Sequence, residues 1–214
     1  MQFRSIVILL LLVPFGAFSQ DPLLKSKLFI EDLGKRVIKE VANPKIDTKQ
    51  RENNFRKLYL DAFDDQYISK FVLGRHWKKI DNKTKEDFVK SFNDYLVMVY
   101  APKFKGWTGT FKAISSAELK ENLFLVEMNL ISKSGGVPQI KLDWRMYINS
   151  KKKFKILDVN IDGVSMLVTQ RAEFSSVIKN DPKGVIGLLE KMKKKKQTLQ
   201  NHSKLRFNHK DINY

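Results

Sequence analysis

An α+β arrangement, with helices packed on one face of a curved antiparallel sheet, is predicted by three features of this sequence. Apolar residues recur at helical spacing up to about residue 100, alternate with polar ones from about Thr108 to Ile161, and then return to helical spacing. The alternating runs are joined by short turn segments rather than by helices, which argues against a parallel βαβ order. No linker-like stretch and no repeat divides the chain.

The helices read in order. Asp21-Pro22 supplies an N-cap and a first-turn proline, and Leu24, Leu28, Leu33, Val37, Ile38 and Val41 follow on one face until Asn43-Pro44. Phe55, Leu58, Tyr59, Ala62 and Phe63 mark a second helix, and Tyr67, Ile68, Phe71 and Val72 a third that ends near Gly74. Thr84 with Asp87 reads as a capping box. It opens the most strongly patterned helix, which carries Phe88, Phe92, Tyr95, Leu96, Val99 and Tyr100 as far as Pro102.

A weaker strand covers Thr108 to Glu118, with Phe111 and Ile114. Phe124, Val126, Met128 and Leu130 then alternate with polar neighbours, Ser134-Gly135-Gly136 turns the chain, and Ile140, Leu142, Trp144, Met146 and Ile148 alternate again. After the turn at Asn149 to Lys153, the strand from Phe154 to Ile161 changes parity at Ile156-Leu157, by a bulge or by burial on both faces. Val164, Leu167, Arg171, Phe174 and Ile178 define a further helix, and Asp181-Pro182 caps the last.

Composition narrows the chemistry. The 214 residues are 43% apolar, ample for a packed core, and include no cysteine, so disulfides, thiolate metal sites and cysteine nucleophiles are excluded. One basic residue, an eight-residue apolar run from Ile6 to Val13 and Ala17-Phe18-Ser19 predict a signal peptide over residues 1–19 and hence export, with the periplasm the compartment that suits a cysteine-free chain. The formal charge of +17 favours anionic partners, and residues 191–214, with eight basic residues against Asp211, read as a mobile basic tail. The lysine runs lack interleaved aromatic residues, so nucleic acid is not an expected partner.

No dinucleotide fingerprint and no phosphate-binding loop occurs. His76 reads as a half-exposed residue at a helix end. Asp143 lies between Lys141 and Arg145 and reads as part of a surface ion-pair ladder; a hydrolase or isomerase using Asp143 or Asp158 as base stays open as the alternative, as does a non-lipid periplasmic adaptor with a filled core. The inner sheet face carries large, adaptable groups, Phe124, Met128, Leu142, Trp144 and Met146, and the helices add Phe71, Phe92, Val99 and Leu167. The same periodicity describes a core filled by its own side chains and one that leaves a cavity.

Phe55-Arg-Lys-Leu-Tyr59, Tyr67 to Trp77, Phe92 to Tyr100, Asp143-Trp144-Arg145 and above all Ile156 to Phe174 stand in an order and spacing that resemble the periplasmic phospholipid-binding proteins of the Mla lipid-asymmetry pathway, the toluene-tolerance auxiliary family. The likeness spans roughly residues 25–190. It implies a nuclear-transport-factor-like sheet with a helical part around an apolar cavity, in a phospholipid-binding domain over residues 20–190. It implies a non-enzymatic, monomeric carrier with no cofactor, whose cargo is a diacyl phospholipid. The partners it implies are an inner-membrane ABC transporter with a lipid-channel ring and an outer-membrane lipoprotein complex. On that basis Phe71, Val99, Phe124, Val126, Met128, Leu142, Trp144, Met146 and Leu167 are expected to line the acyl site. Structural roles are expected for Gly163 in the strand-to-helix turn, Ser165 as helix cap, Arg75 in an ion pair and Trp77 over the core end.

Overall fold

The computed structural model describes residues 21–132 and 140–208. The expected signal peptide and the Ser134-Gly135-Gly136 turn lie outside them. The described residues form α1 (Pro22–Arg36), α2 (Thr48–Ala62), α3 (Asp65–Leu73), α4 (Asn82–Tyr100), β1 (Gly109–Lys120), β2 (Leu123–Ser132), β3 (Ile140–Ile148), β4 (Phe154–Ile161), β5 (Val164–Ser165), α5 (Met166–Lys179) and α6 (Val185–Asn208). The strands pair in sequence order and antiparallel throughout, so the sheet is a meander with the helices gathered on one face, as expected.

The first four helix starts are each set by an oxygen that accepts an otherwise orphaned N–H. The carboxylates of Asp21, Asp47, Asp64 and Asp81 accept from Leu23, Gln50, Tyr67 and Thr84. The fourth helix therefore begins at Asn82, not at the Thr84 capping box: Asp81 stands at the spacing that reaches the Thr84 N–H and accepts its hydroxyl as well. Val37–Val41, expected to complete the first helix, form a π-turn closed by Ala42 N–H to Val37 O at 2.9 Å. Arg51, almost fully buried, donates to the carbonyls of Val41, Asn43 and Ile46 and so fixes the chain between that turn and α2.

The parity change in β4 is a bulge. Arg145 pairs with Asp158 and Met146 with Ile156, leaving Leu157 as the extra residue, so Phe154, Ile156, Val159 and Ile161 all face inward. A second irregularity lies in β1 between Ala113 and Ser115, and Ile114 there is exposed to solvent. At the sheet end, Asp162 and Gly163 take positive φ (49° and 83°), the tight turn anticipated at Gly163. The last helix starts at Val185, because Asp181 closes a turn with the Lys183 N–H instead of capping at Pro182. It then runs on to Asn208, so residues 191–208 of the expected basic tail are helical, with Met192 buried and Lys196 paired with Asp94 at 2.6 Å.

Two apolar clusters result. One lies under the sheet with α1 and α2, around Ile30, Leu58, Val126 and Met128; the other joins α3, α4, α5 and α6 around Phe88, Phe92 and Phe174. They are stitched at the α2–α3 junction, where Asp64 N–H donates to Ile156 O at 3.0 Å and the Tyr147 hydroxyl donates to the Asp64 carboxylate. That bond, with burial adding to it, raises the Tyr147 phenol to about 12. A raised folded-state value means the contribution is complete below the ordinary phenol range near pH 10 and disappears as pH climbs through about 12. Tyr147→Phe should accordingly cost about 1 kcal/mol at neutral pH. The gap from wild type, followed by urea denaturation at increasing pH, should close only on the alkaline side.

Candidate apolar site

Strand register orders the inner sheet face in rows. Phe124, Met146 and Ile156 form one; Val126, Trp144 and Val159 the next; Met128, Leu142 and Ile161 the third; Leu130 and Ile140 the last. The first row is filled. Phe154 stands edge-on to Phe124 with ring centres 5.7 Å apart and lies 5.6 Å from Phe29 of α1. Toward the last row the helical cover stands off, and a cavity of about 340 Å³ opens between sheet and helices. That size falls within the range of about 300–1,000 Å³ usual for small-molecule sites.

Its sheet wall is Leu130, Ile140, Leu142, Trp144, Val159 and Ile161, with Leu157 added by the bulge. Leu33 and Val37 close it from the end of α1, Phe55, Leu58, Tyr59 and Phe63 from α2 and its end, Ile68 and Val72 from α3, Phe92, Leu96 and Tyr100 from α4, and Met166 and Leu167 from α5. The cavity thus lies along the seam between the two clusters, drawing Leu33 and Leu58 from one and Val72 and Phe92 from the other. Tyr59 keeps its proton, because burial, reinforced by Asp65 and Asp64, pushes its phenol far up. Gly34 sits where a Cβ would come within 2.6 Å of the Phe111 ring, so the bare backbone lets α1 approach β1 at the cavity edge.

Of the expected lining residues, Leu142, Trp144 and Leu167 face the cavity. Phe124, Val126, Met128 and Met146 do not: they are fully buried in the filled part of the sheet face, beneath α1 and the Phe124–Phe154 pair. Phe71 turns away to lie under the Arg171 guanidinium, 5.1 Å from its ring, and Val99 is half-buried off the cavity wall. The contribution of α1 and of the α2 aromatic residues was not expected. Their helical spacing was visible, but spacing alone does not distinguish a wall from a core.

Of the two carboxylates proposed as alternative bases, Asp158 has structural work. Asp158 accepts from Val159 N–H (2.8 Å), Leu167 N–H (3.1 Å) and the Ser165 hydroxyl (2.6 Å), while Ser165 Oγ accepts from Val168 N–H and so caps α5. Asp143 lies 3.7 Å from Lys141 Nζ, which also binds Glu127 at 3.0 Å; Arg145 is exposed and makes no ion pair among the described residues. Arg75 is likewise exposed and unpaired among them, whereas Trp77 packs against the helical cluster as anticipated. Burial, then the charges of Arg75 and Lys79, hold His76 below its ordinary range. Among the described residues no group of three or more His, Asp or Glu is placed to hold a metal ion.

A half-filled, half-open sheet under helices defines an α+β protein built around an internal apolar compartment. The model of the MlaC protein family matches residues 31–194, and the chain belongs to that family. It is 27% identical, over 130 residues, to the intermembrane phospholipid transport system binding protein MlaC of Haemophilus influenzae; the match covers 59% of this chain and 59% of that relative's length. The fold is similar to that of the phospholipid-binding protein from Ralstonia solanacearum, solved in complex with a phospholipid, with a TM-score of 0.72 and 17% identity over 81% of this chain and 98% of that one.

Because Asp158 gathers three donors at the base of α5, Asp158→Ala should destabilise the protein by about 2–3 kcal/mol. Asp158→Asn, which keeps an acceptor oxygen for the two backbone N–H groups, should cost clearly less. Chemical denaturation of the three proteins measures the order.

Proposed function

We propose that this protein is a soluble periplasmic carrier that houses the acyl chains of a diacyl phospholipid in the cavity between sheet and helices, leaving the headgroup near solvent. The observation that carries this reading is the cavity's wall: apart from Asp158, already engaged by three donors, and Gln170, its side chains are aliphatic or aromatic. Family membership supports it, as do the phospholipid-related names of the Haemophilus and Ralstonia proteins. In this reading the carrier takes lipid from one membrane-bound complex and delivers it to another, between an inner-membrane ABC transporter with a lipid-channel ring and an outer-membrane lipoprotein complex.

The physics of the task is simple. Each methylene exposed to water costs about 0.8 kcal/mol, so a lipid with roughly thirty of them cannot cross an aqueous space unaided at a useful rate. Lodging chains against Leu130, Leu142, Trp144, Ile161 and Leu167 removes that penalty for the methylenes the cavity admits, without making or breaking a covalent bond. Nothing in this task calls for a base, and Asp158 accepts from the first turn of α5.

Organic extraction of the purified protein followed by mass spectrometry should recover diacyl phospholipid. Leu96→Trp, which adds bulk to the cavity wall without adding charge, should lower the recovered lipid severalfold while the circular dichroism spectrum stays that of wild type. Native preparations free of lipid, or undiminished lipid in a folded Leu96→Trp protein, would overturn the assignment.

A further inference from the structure

The lysines of α6 are unevenly employed. Val185, Leu188, Leu189 and Met192 bury one face of its first half against the helical cluster. Lys191 pairs with Asp181 at 2.9 Å and Lys196 with Asp94 at 2.6 Å. Lys193, Lys194 and Lys195 are exposed and make no ion pair among the described residues. From Lys191 to Asn208 the helix holds seven basic residues and no acidic one, so no partner exists within that stretch.

Ordinary structural causes account for little of this run: Glu190 stands three and four residues before Lys193 and Lys194, but its carboxylate is engaged by Lys183 at 2.9 Å. Basic residues favour a helix C-terminus only within its last turn, and Lys193 to Lys195 lie about four turns before Asn208. Lysines spaced three or four apart on a helix, such as Lys191 with Lys194 and Lys195, repel one another. The helix keeps this repulsion, and a plane of negative charge laid along it would relieve it.

We propose that α6 beyond Met192 docks the protein on the surface of an anionic phospholipid bilayer through Lys193, Lys194 and Lys195. The residue type selects this occupant over an acidic protein face. Lys193 and Lys195 lie about 100° to either side of Lys194, so the three ammonium groups do not converge on one rigid carboxylate site and reach a common flat surface only by bending their long stems toward it. Lysine is a hydrated point charge on a long flexible stem, suited to mobile headgroups, whereas fixed carboxylate recognition favours the arginine fork. The surface is separate from the cavity: none of the three lysines lines it.

Sedimentation with sucrose-loaded vesicles tests this. The full protein should pellet with vesicles of phosphatidylglycerol and phosphatidylcholine, remain in the supernatant with phosphatidylcholine alone, and be released from the former by added salt. The variant Lys193→Gln/Lys194→Gln/Lys195→Gln should keep its helical content and lose partitioning on the order of a hundredfold, from about 1 kcal/mol for each charge near an anionic surface. Uptake of lipid into the cavity is told apart because loaded protein stays in the supernatant. Equal pelleting of wild type and triple variant, salt-insensitive pelleting, or no pelleting with anionic vesicles would overturn the proposal.

Discussion

The cavity depends on how one buried carboxylate joins the sheet to the helices that follow it. Asp158 sits just after the β4 bulge and receives two backbone N–H groups and a hydroxyl, one donor from its own strand and two from the start of α5. A carboxylate out of water must be satisfied by such donors, so the geometry of the turn at Asp162 and Gly163 is tightly specified. With that turn fixed, Met166 and Leu167 point into the seam between the clusters, and the bulge adds Leu157 beside them. The same bulge restores inward parity to Val159 and Ile161, which would otherwise face solvent.

Two unequal treatments of one sheet face follow. Where α1 crosses β1 and β2, Val126, Met128 and Phe124 are packed to exclusion, and this part supplies stability. Where β3 and β4 meet α2 to α5, the helices are held apart by their own attachments: Arg51 anchors the chain before α2, and Asp64 ties the α2–α3 junction to Ile156. The two clusters therefore meet along a line without interpenetrating. An apolar void left in this way loses dispersion contacts, which is tolerable when the rest of the core is close-packed.

Much of this was legible in the residues. Periodicity placed most of the helices and the long strands, and Asp21-Pro22, Asp162-Gly163 and Ser165 announced their turns and caps. Leu142, Trp144 and Leu167 were among the expected wall residues, but the same inward-facing pattern put Phe124, Val126, Met128 and Met146 beside them. What escaped was depth along a strand. Met128 and Leu142 are neighbours in the same row, equally apolar and equally inward, yet one is sealed by α1 and the other faces the cavity. That difference is set by where α1 crosses the sheet, a tertiary fact with no local trace. The basic C-terminal region misled in the opposite sense: its lysines suggested solvation, while Met192 and the Lys196–Asp94 pair anchor a helix.

The division between an apolar interior and a basic exterior bears on how a carrier exchanges its load. Contacts to hydrocarbon are non-directional, and their strength scales with the area removed from water. A wall of leucine, isoleucine and aromatic groups therefore offers acyl chains nearly what a bilayer offers, and transfer between the two need not be steeply downhill. Such a compartment sets neither headgroup choice nor direction. Those properties must come from whatever holds the cavity against its donor or acceptor, and so from the surface. Asp94 shows the two parts mechanically joined: burial works against its charge, but Lys196 of α6 and Arg56 of α2 hold the carboxyl below its usual range, linking the lysine-bearing helix to an element that walls the cavity.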